Sequence, residues 1–229
     1  CDKTSSSTPN VKRFTISELH RALGFRTLSS WDTIYDIAQD TIEIVKTADP
    51  ILEIGDVANI KKSRRNKVPI TRPSKFLHRV HMDIGYGDCT AVGGAKYCIL
   101  LVDRATRKHA LYDLRSLNHE EIIRVLDQFV VDMNGKPYSV ITDFDNKIIA
   151  GQTKQWLLAN QCKVISSPGG RQNQNGLVER AWQTACGMAR SYITDMQMPR
   201  TYWYWGLRQA IHVMNYFPCL VNGLSTTPF

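Results

Sequence analysis

The order of apolar runs after residue 79 strongly restricts the folds open to this 229-residue chain. Val80, Met82 and Ile84 alternate with polar residues, and two more strand-like runs follow at 96–103 and 107–114. After them come a helix, a strand at 138–142, a short helix at 153–160, a strand at 163–166 and two further helices. Three consecutive strands followed by strands that alternate with helices are typical of α/β proteins. The sequence therefore predicts a mixed five-stranded sheet flanked by helices.

Capping residues and periodicity locate the helices. Asn118 is a predicted N-cap, and Glu121 completes a capping-box-like pair with it. A long helix is predicted at 173–193, and Pro199 begins a final helix that is rich in Trp and Tyr. We expect the aromatic cluster at 203–205 to pack this last helix onto the sheet or a partner subunit, with base stacking as the alternative.

The first 78 residues differ from the rest of the chain. Residues 15–48 have helical periodicity, with Ser17 as a plausible N-cap, and predict a small helical appendage within 1–60. Residues 61–78 form a basic connector in which Pro69 and Pro73 oppose regular structure. The domain that carries the predicted sheet then covers 79–229. The missing initiator Met and the abrupt end suggest a piece of a longer polyprotein.

The chain is basic, with a formal net charge of +8 and a pI near 9.2. Eight basic residues and no acidic residue lie between positions 61 and 82; they are Lys61, Lys62, Arg64, Arg65, Lys67, Arg72, Lys75 and Arg79. We expect Lys61, Lys62, Arg64 and Arg65 to contact nucleic-acid phosphates, although such a run is often only a solvated linker. The run at 61–67 is also similar to a nuclear import signal and predicts a nuclear location.

Membrane insertion and a disulfide framework are not expected. The longest apolar run, 98–102, is far shorter than the roughly 20 residues of a transmembrane helix. The six cysteines are scattered and form no CxxC pair, which argues against both disulfides and a self-contained zinc site. An intracellular protein is therefore the expectation.

Carboxylates at strand ends give the chemical signal. Asp83 lies near the end of the first predicted strand and Asp143 at the end of the fourth, each beside apolar residues. A carboxylate in such a place costs desolvation free energy unless a cation pairs with it. Phosphoryl transfer uses this arrangement, in which carboxylates hold two hard divalent ions about 3.5–4 Å apart. Asp145 is an alternative to Asp143 because both fall on one strand face.

A third carboxylate, Glu179, makes the pattern recognisable. Thirty-five residues separate it from Asp143, and it follows Asn175-Gly176 at the start of the long helix. The chain from about 78 to 229 thereby resembles the D,D-35-E core of retroviral and retrotransposon integrases, whose N-G-x-x-E-R helix start is similar to 175–180. The resemblance implies an RNase H-like fold in which Asp83, Asp143 and Glu179 hold two Mg²⁺ (or Mn²⁺) ions. It also implies joining of element DNA 3′ ends to target DNA, with double-stranded DNA and further copies of the chain as partners.

Polar residues around Glu179 are candidate DNA contacts. We expect Arg171, Gln172 and Asn175 to touch DNA backbone or sugar, because amides and guanidinium groups suit phosphates and base edges. Gln183 falls near the face of Glu179 by helical spacing. The alternative for all four is simple solvation.

At His20-Arg21-Ala22-Leu23-Gly24, the N-terminal region resembles the pre-integrase region of Ty1/copia-type elements. The segments 103–107 and Thr227-Pro228 resemble the same type of element. The pre-integrase region in related proteins carries a His/His/Cys/Cys zinc module. Here Phe25, Ile54 and Val57 fall where three of the ligands should be, so we predict no zinc.

Two other functions stay open at this point. The lost zinc ligands favour a decayed or domesticated DNA-binding or assembly module without catalysis. An RNase H-fold nuclease is the third reading, although the Asn175-Gly176-x-x-Glu179 helix start is not typical of that class.

Overall fold

The computed structural model of the chain describes residues 12–24, 42–45, 75–142, 150–166, 176–221 and 224–228. The strands in these ranges are β1 (Lys12–Thr15), β2 (Ile42–Val45), β3 (Val80–Tyr86), β4 (Tyr97–Asp103), β5 (His109–Leu114), β6 (Ser139–Thr142), β7 (Lys163–Ser166), β8 (Cys219–Val221) and β9 (Leu224–Thr226). The helices are α1 (Ile16–Ala22), α2 (His119–Asp132), α3 (Gly151–Ala159), α4 (Gly176–Asp195) and α5 (Trp203–Tyr216), and a 3₁₀ turn at Arg200–Tyr202 precedes α5.

Five strands form a mixed sheet in the order β5-β4-β3-β6-β7. The consecutive strands β3, β4 and β5 pair antiparallel, whereas β6 and β7 join as parallel strands through helical crossovers. The predicted mixed five-stranded sheet is therefore confirmed. The third strand begins at His109 rather than near 107, because Arg107 has a positive φ of 69° in the turn that follows Asp103.

The sheet is covered on both faces. Val80, Met82 and Ile84 point to one side, where they join a core with the buried face of α2, which consists of Ile122, Val125, Leu126 and Phe129. Cys98 and Leu100 of β4 point to the other side, toward α4 and α5. Because side chains alternate along a strand, Asp83 shares the face that α4 and α5 cover.

The start of α2 agrees with its sequence signal. The side chain of Asn118 accepts a hydrogen bond from the backbone N–H of Glu121 at 2.9 Å and so caps the helix. The Glu121 carboxylate accepts from the guanidinium of Arg124 at 3.1 Å. Asn118 thus acts as the predicted cap, while Glu121 has a partner along the helix.

The N-terminal region differs from the helical prediction. The helix α1 is capped by Thr15, not Ser17, in a full capping box with Glu18. Residues Ile42–Val45 form a strand that pairs in parallel with β1, so their helical assignment was wrong. Isoleucine alternating with glutamate at 42–44 has the period of two and the β-branching that favour a strand. The helical prediction for 25–41 and 46–48 lies outside the described residues.

The helix α1 packs against the core. The hydroxyl of Tyr192 on α4 donates to the carbonyl of Ala22 at 3.3 Å, and Arg21 forms an ion pair with Asp195 at 2.6 Å. At the other end of the chain, β8 and β9 form a small antiparallel pair that the sequence did not predict. Within the described ranges, no helix combines the length and apolarity needed to cross a membrane.

Candidate active site

Asp83 lies on the central strand of the sheet. Its register partner on β4 is Leu100, and on the other side Met82 pairs with Thr142, the last residue of β6. The side chain of Asp83 is half-buried, and its carboxylate accepts a hydrogen bond from the backbone N–H of Ile84 at 2.9 Å. Strand pairing on both sides fixes the backbone that carries this carboxylate.

The helix α4 lies directly on the strand just past Asp83. A Cβ atom added to Gly85 would be 2.7 Å from the indole ring of Trp182. Gly85 follows Asp83 by two residues and therefore lies on the same face of β3. The absence of a side chain at Gly85 is what lets the ring of Trp182 reach the backbone of the strand.

The helix α4 contacts two neighbouring strands, β3 and β4. Trp182 packs on Gly85 of β3. On β4, burial raises the pKa of the Cys98 thiol, and Cys186 of α4, one turn after Trp182, adds to the rise. Glu179, about one turn before Trp182, is exposed.

The described residues include only part of the predicted site. Asp83 and Glu179 are described, and both are carried by elements in contact with each other. Gln183 is exposed on α4, one turn after Glu179. The remaining predicted residues lie outside the described ranges; these are Asp143, Arg171, Gln172, Asn175, Lys61, Lys62, Arg64 and Arg65, together with the alternative Asp145.

Carboxylate oxygens are the ligands that Mg²⁺ prefers, and the two described carboxylates have this chemistry. In the part of the chain that the structure describes, no group of three His, Cys, Asp or Glu residues is placed to hold a metal ion. Asp143 is not among those residues, so the described ranges include two of the three residues predicted to hold metal.

The helix α3, which follows Asp143 in the sequence, contacts a histidine at the start of α2. The Nδ1 atom of His119, at the start of α2, lies 2.8 Å from the hydroxyl of Thr153 on α3. The same ring packs on Gly151, where an added Cβ would be 3.1 Å from Nε2 and where φ is +53°. The structural role of His119 is to join the first turns of two helices.

The aromatic cluster of α5 packs as expected, with one exception. The ring of Trp203 covers Gly87, and its indole N–H donates to the carbonyl of Cys89 at 2.8 Å. Tyr204 is buried. Trp205 is 43% exposed, although its N–H donates to the carbonyl of Val92 at 2.9 Å. The cluster thus fixes the loop between β3 and β4.

Sequence reasoning missed Gly85 and Trp182 as a contacting pair. The available signal was the spacing of two glycines, at 85 and 87, inside and just after an apolar strand, where glycine is disfavoured. Glycine in a strand often marks a close approach of another part of the molecule. The sequence could not indicate which residue makes that approach.

Sequence comparison places the chain beside retroelement proteins. No family model matches it. It is 22% identical over 208 residues to the retrovirus-related Pol polyprotein from transposon RE2 of Arabidopsis thaliana, which covers 89% of this chain and 14% of that protein. It is 21% identical over 152 residues to the corresponding polyprotein from transposon TNT 1-94 of Nicotiana tabacum, covering 64% of this chain and 11% of that protein. The chain therefore spans a small part of either relative.

Solved structures share the fold. A chain of the simian T-cell lymphotropic virus intasome in complex with PP2A regulatory subunit B56 gamma matches with a TM-score of 0.58 and 17% identity, over 75% of this chain and 59% of that one. The HTLV-2 integrase catalytic core domain in complex with magnesium, in a trimeric form, matches with a TM-score of 0.51 and 17% identity, over 66% of this chain and 93% of that one. These findings confirm the expected resemblance and fold class. The chain is thus similar in sequence to Pol polyproteins of Ty1/copia-like retrotransposons and has the RNase H-like fold of retroviral integrase catalytic cores.

Proposed function

We propose that this chain acts in DNA integration, as a metal-dependent polynucleotidyl transferase that joins retroelement DNA 3′ ends to target DNA. One observation supports this most directly. The helix that carries Glu179 crosses the central strand next to Asp83, with Trp182 seated on Gly85. Two carboxylates of the predicted three therefore come from elements that touch at one end of the sheet.

Chain connectivity limits where the third carboxylate can be. Thr142 pairs with Met82, and Asp143 follows Thr142 directly. The described part of β6 thus ends beside the residue that precedes Asp83, and we propose that Asp143 supplies the third carboxylate there.

In this proposal the three carboxylates hold two Mg²⁺ or Mn²⁺ ions. Such ions, when bound, lower the barrier to in-line displacement at phosphorus by stabilising charge on the attacking and leaving oxygens. Asp83 supplies a ligand from a strand that is hydrogen-bonded on both sides, and Glu179 supplies one from the first turn of a 20-residue helix. No side chain of the protein forms a covalent bond to DNA.

DNA and other copies of the chain are the proposed partners. The net charge of +8 favours binding to a polyanion. We assign phosphate contacts to Lys61, Lys62, Arg64 and Arg65, and backbone or sugar contacts to Arg171, Gln172, Asn175 and Gln183. The described neighbours include an intasome chain and a trimeric core with magnesium, which is consistent with DNA-bound oligomers. Chromosomal target DNA would require a nuclear location.

A non-catalytic DNA-binding module is the second candidate. It is favoured by Phe25, Ile54 and Val57, which stand where the zinc ligands of related modules are expected. The absence of zinc from the protein stays a prediction. A nuclease that cuts an RNA–DNA hybrid is a further outcome that the same experiment can detect.

The test is strand transfer of a labelled duplex end into plasmid DNA with Mg²⁺ or Mn²⁺, comparing the unaltered protein with Glu179→Gln. The amide keeps the size of the side chain but removes a charged ligand, so we expect joining to fall by roughly 100-fold or more. Glu120→Gln is the matched control, because Glu120 is also an exposed glutamate in the first turn of a helix. That control should join DNA like the unaltered protein.

The other outcomes separate the candidates. Salt-sensitive DNA binding without joining, in every variant and with either metal, would support the non-catalytic module instead. Cleavage of a hybrid substrate without joining would support the nuclease. Equal joining by Glu179→Gln and Glu120→Gln would remove Glu179 from the catalytic set.

A further inference from the structure

We propose that Trp182 is a positioning residue whose indole ring, seated on Gly85, sets the separation between Asp83 and Glu179. This inference rests on the proposed function, since it concerns the same two carboxylates. In this proposal Gly85 and Trp182 bind neither metal nor DNA. Their role is to position the helix that carries Glu179.

The strand leaves space for the ring at Gly85, which has no side chain; we call this space the notch. After Asp83, the positions on the same face of the chain are Gly85 and Gly87, and each is covered by a tryptophan. An added Cβ on Gly85 would lie 2.7 and 3.0 Å from two atoms of the Trp182 ring and 3.2 Å from the sulfur of Cys98. A contact of 2.7 Å is shorter than real Cβ contacts, so a side chain at residue 85 would force the ring of Trp182, and with it the helix in our proposal, to move away from the strand.

Both carboxylates are close to this contact along their own elements. Glu179 precedes Trp182 by three residues, about 4.5 Å of helical rise. Asp83 precedes Gly85 by two residues, about 6.6 Å along the strand. A displacement of the helix at Trp182 is therefore transmitted almost undiminished to Glu179, while Asp83 stays fixed in the sheet. Because misplacement of about 1 Å can cost roughly 100-fold in rate, the depth of the notch matters for catalysis.

The polar atom of the ring has no anchor in the described part of the chain. The indole N–H of Trp182 is buried and has no hydrogen-bond partner among the residues that the structure describes. Trp203, in the equivalent place over Gly87, donates to the carbonyl of Cys89. Buried tryptophan N–H groups usually find an acceptor. Within the described ranges, packing on Gly85 therefore holds Trp182, and we attribute its effect on α4 to this packing.

The two glycines allow a matched comparison of Gly85→Ala with Gly87→Ala. Each substitution pushes a methyl group into an indole ring, but only Gly85 contacts the helix that carries Glu179. The readout is Mn²⁺ binding to the protein without DNA, followed by the electron paramagnetic resonance signal of free Mn²⁺, with thermal unfolding measured in parallel. We expect both variants to lower Tm, and only Gly85→Ala to weaken Mn²⁺ binding, by about tenfold.

Two further variants keep the test decisive if Gly85→Ala folds poorly. Trp182→Phe removes part of the ring without adding a clash, so it should weaken Mn²⁺ binding while the protein stays folded. Combining Gly85→Ala with Trp182→Phe makes room for the methyl group and should recover part of the lost binding. Equal Mn²⁺ affinity in the unaltered protein, Gly85→Ala and Trp182→Phe would overturn the positioning role. Failure of the unaltered protein itself to bind Mn²⁺ would instead overturn the proposed metal site, and this inference with it.

Discussion

Asp103 is a buried acidic residue with a structural function. Its side chain sits at the end of β4 and is only 3% exposed. One oxygen accepts from the backbone N–H of Leu77 at 3.0 Å, and the other accepts from the backbone N–H and the hydroxyl of Thr106 at 2.7 and 2.8 Å. The Asp-Arg-Ala-Thr-Arg segment at 103–107 is therefore a turn held by its first residue.

We expect Asp103→Asn to lower the free energy of unfolding by about 2–3 kcal/mol. The amide keeps the volume of the side chain, but its NH₂ group faces donors, so buried N–H groups lose their acceptor. The measurement is urea unfolding followed by tryptophan fluorescence. Asp88→Asn serves as the control because Asp88 is exposed, and it should leave the free energy of unfolding within about 0.5 kcal/mol of its original value. A change of that small size in Asp103→Asn would contradict the turn-holding role.

At the scale of elements, α2 and α3 are joined through His119, Gly151 and Thr153. Thr153 is fully buried, and its hydroxyl lies 2.8 Å from the imidazole of His119. No side chain caps α3, since its N-cap position is Ala150. The contact with His119 thus stabilises the beginning of a helix that has no side-chain cap of its own.

Thr153→Val should therefore destabilise α3 more than its neighbours. Valine has nearly the same shape but no hydroxyl, and we expect a loss of about 1 kcal/mol in the free energy of unfolding. Amide hydrogen exchange in 151–159 should be faster than in the unaltered protein, while exchange in 176–195 should be unchanged. Thr153→Ser keeps the hydroxyl and should preserve slow exchange. Equal exchange rates in the valine and serine variants would argue against a hydrogen bond to His119.

The elements that sequence could predict depend on local signals. The alternation in β3 and the cap at Asn118 are set by neighbouring residues, and both agree with the structure. The pairing of β1 with β2 joins residues about 30 positions apart and leaves only a weak local pattern. Residues 42–45 were consequently assigned to a helix.

The sequence indicates which carboxylates are candidates for the site, but it does not indicate the packing contacts around them. The carboxylates Asp83 and Glu179 stood out by their surroundings and spacing, because charge beside apolar residues is unusual. The seating of Trp182 on Gly85 depends on where α4 crosses the sheet. That crossing is a property of the packed fold, and no run of neighbouring residues encodes it.

At the scale of the whole molecule, burial favours the neutral form of several cysteine thiols and tyrosine hydroxyls. Burial raises the pKa of Cys162 to about 11 and that of Tyr204 to about 12. Burial also raises the pKa values of Cys98, Cys186 and Tyr112. In each case the fold favours the protonated form over the ionised one.

Stability should therefore decline in alkaline solution. For a raised pKa, the stabilisation is complete below the pKa of the unfolded chain, near 9 for cysteine, and is lost as pH rises through the folded value. Between pH 9 and 11, Cys162 alone should lower the free energy of unfolding by at most about 1 kcal/mol per pH unit, because the proton difference between the two states stays below one. The check is urea unfolding at pH 8, 9, 10 and 11. Cys162→Ala should show a shallower decline over this interval, and parallel curves would contradict the assignment.

The parallel pairing of β3 with β6 also bears on how the protein is made. The hairpins of β3, β4 and β5 join residues that are close in sequence. The contacts of Met82 with Thr142 and of Gly85 with Trp182 join residues that are far apart in sequence. Contacts between distant residues form late because their loops carry a larger entropic cost. On a ribosome, Asp83 would emerge and enter a local hairpin well before the helix bearing Glu179 had been synthesised. Asp83 and Glu179 would then come together only after most of the sheet had been synthesised, so a shorter nascent chain would lack one of the two candidate carboxylates.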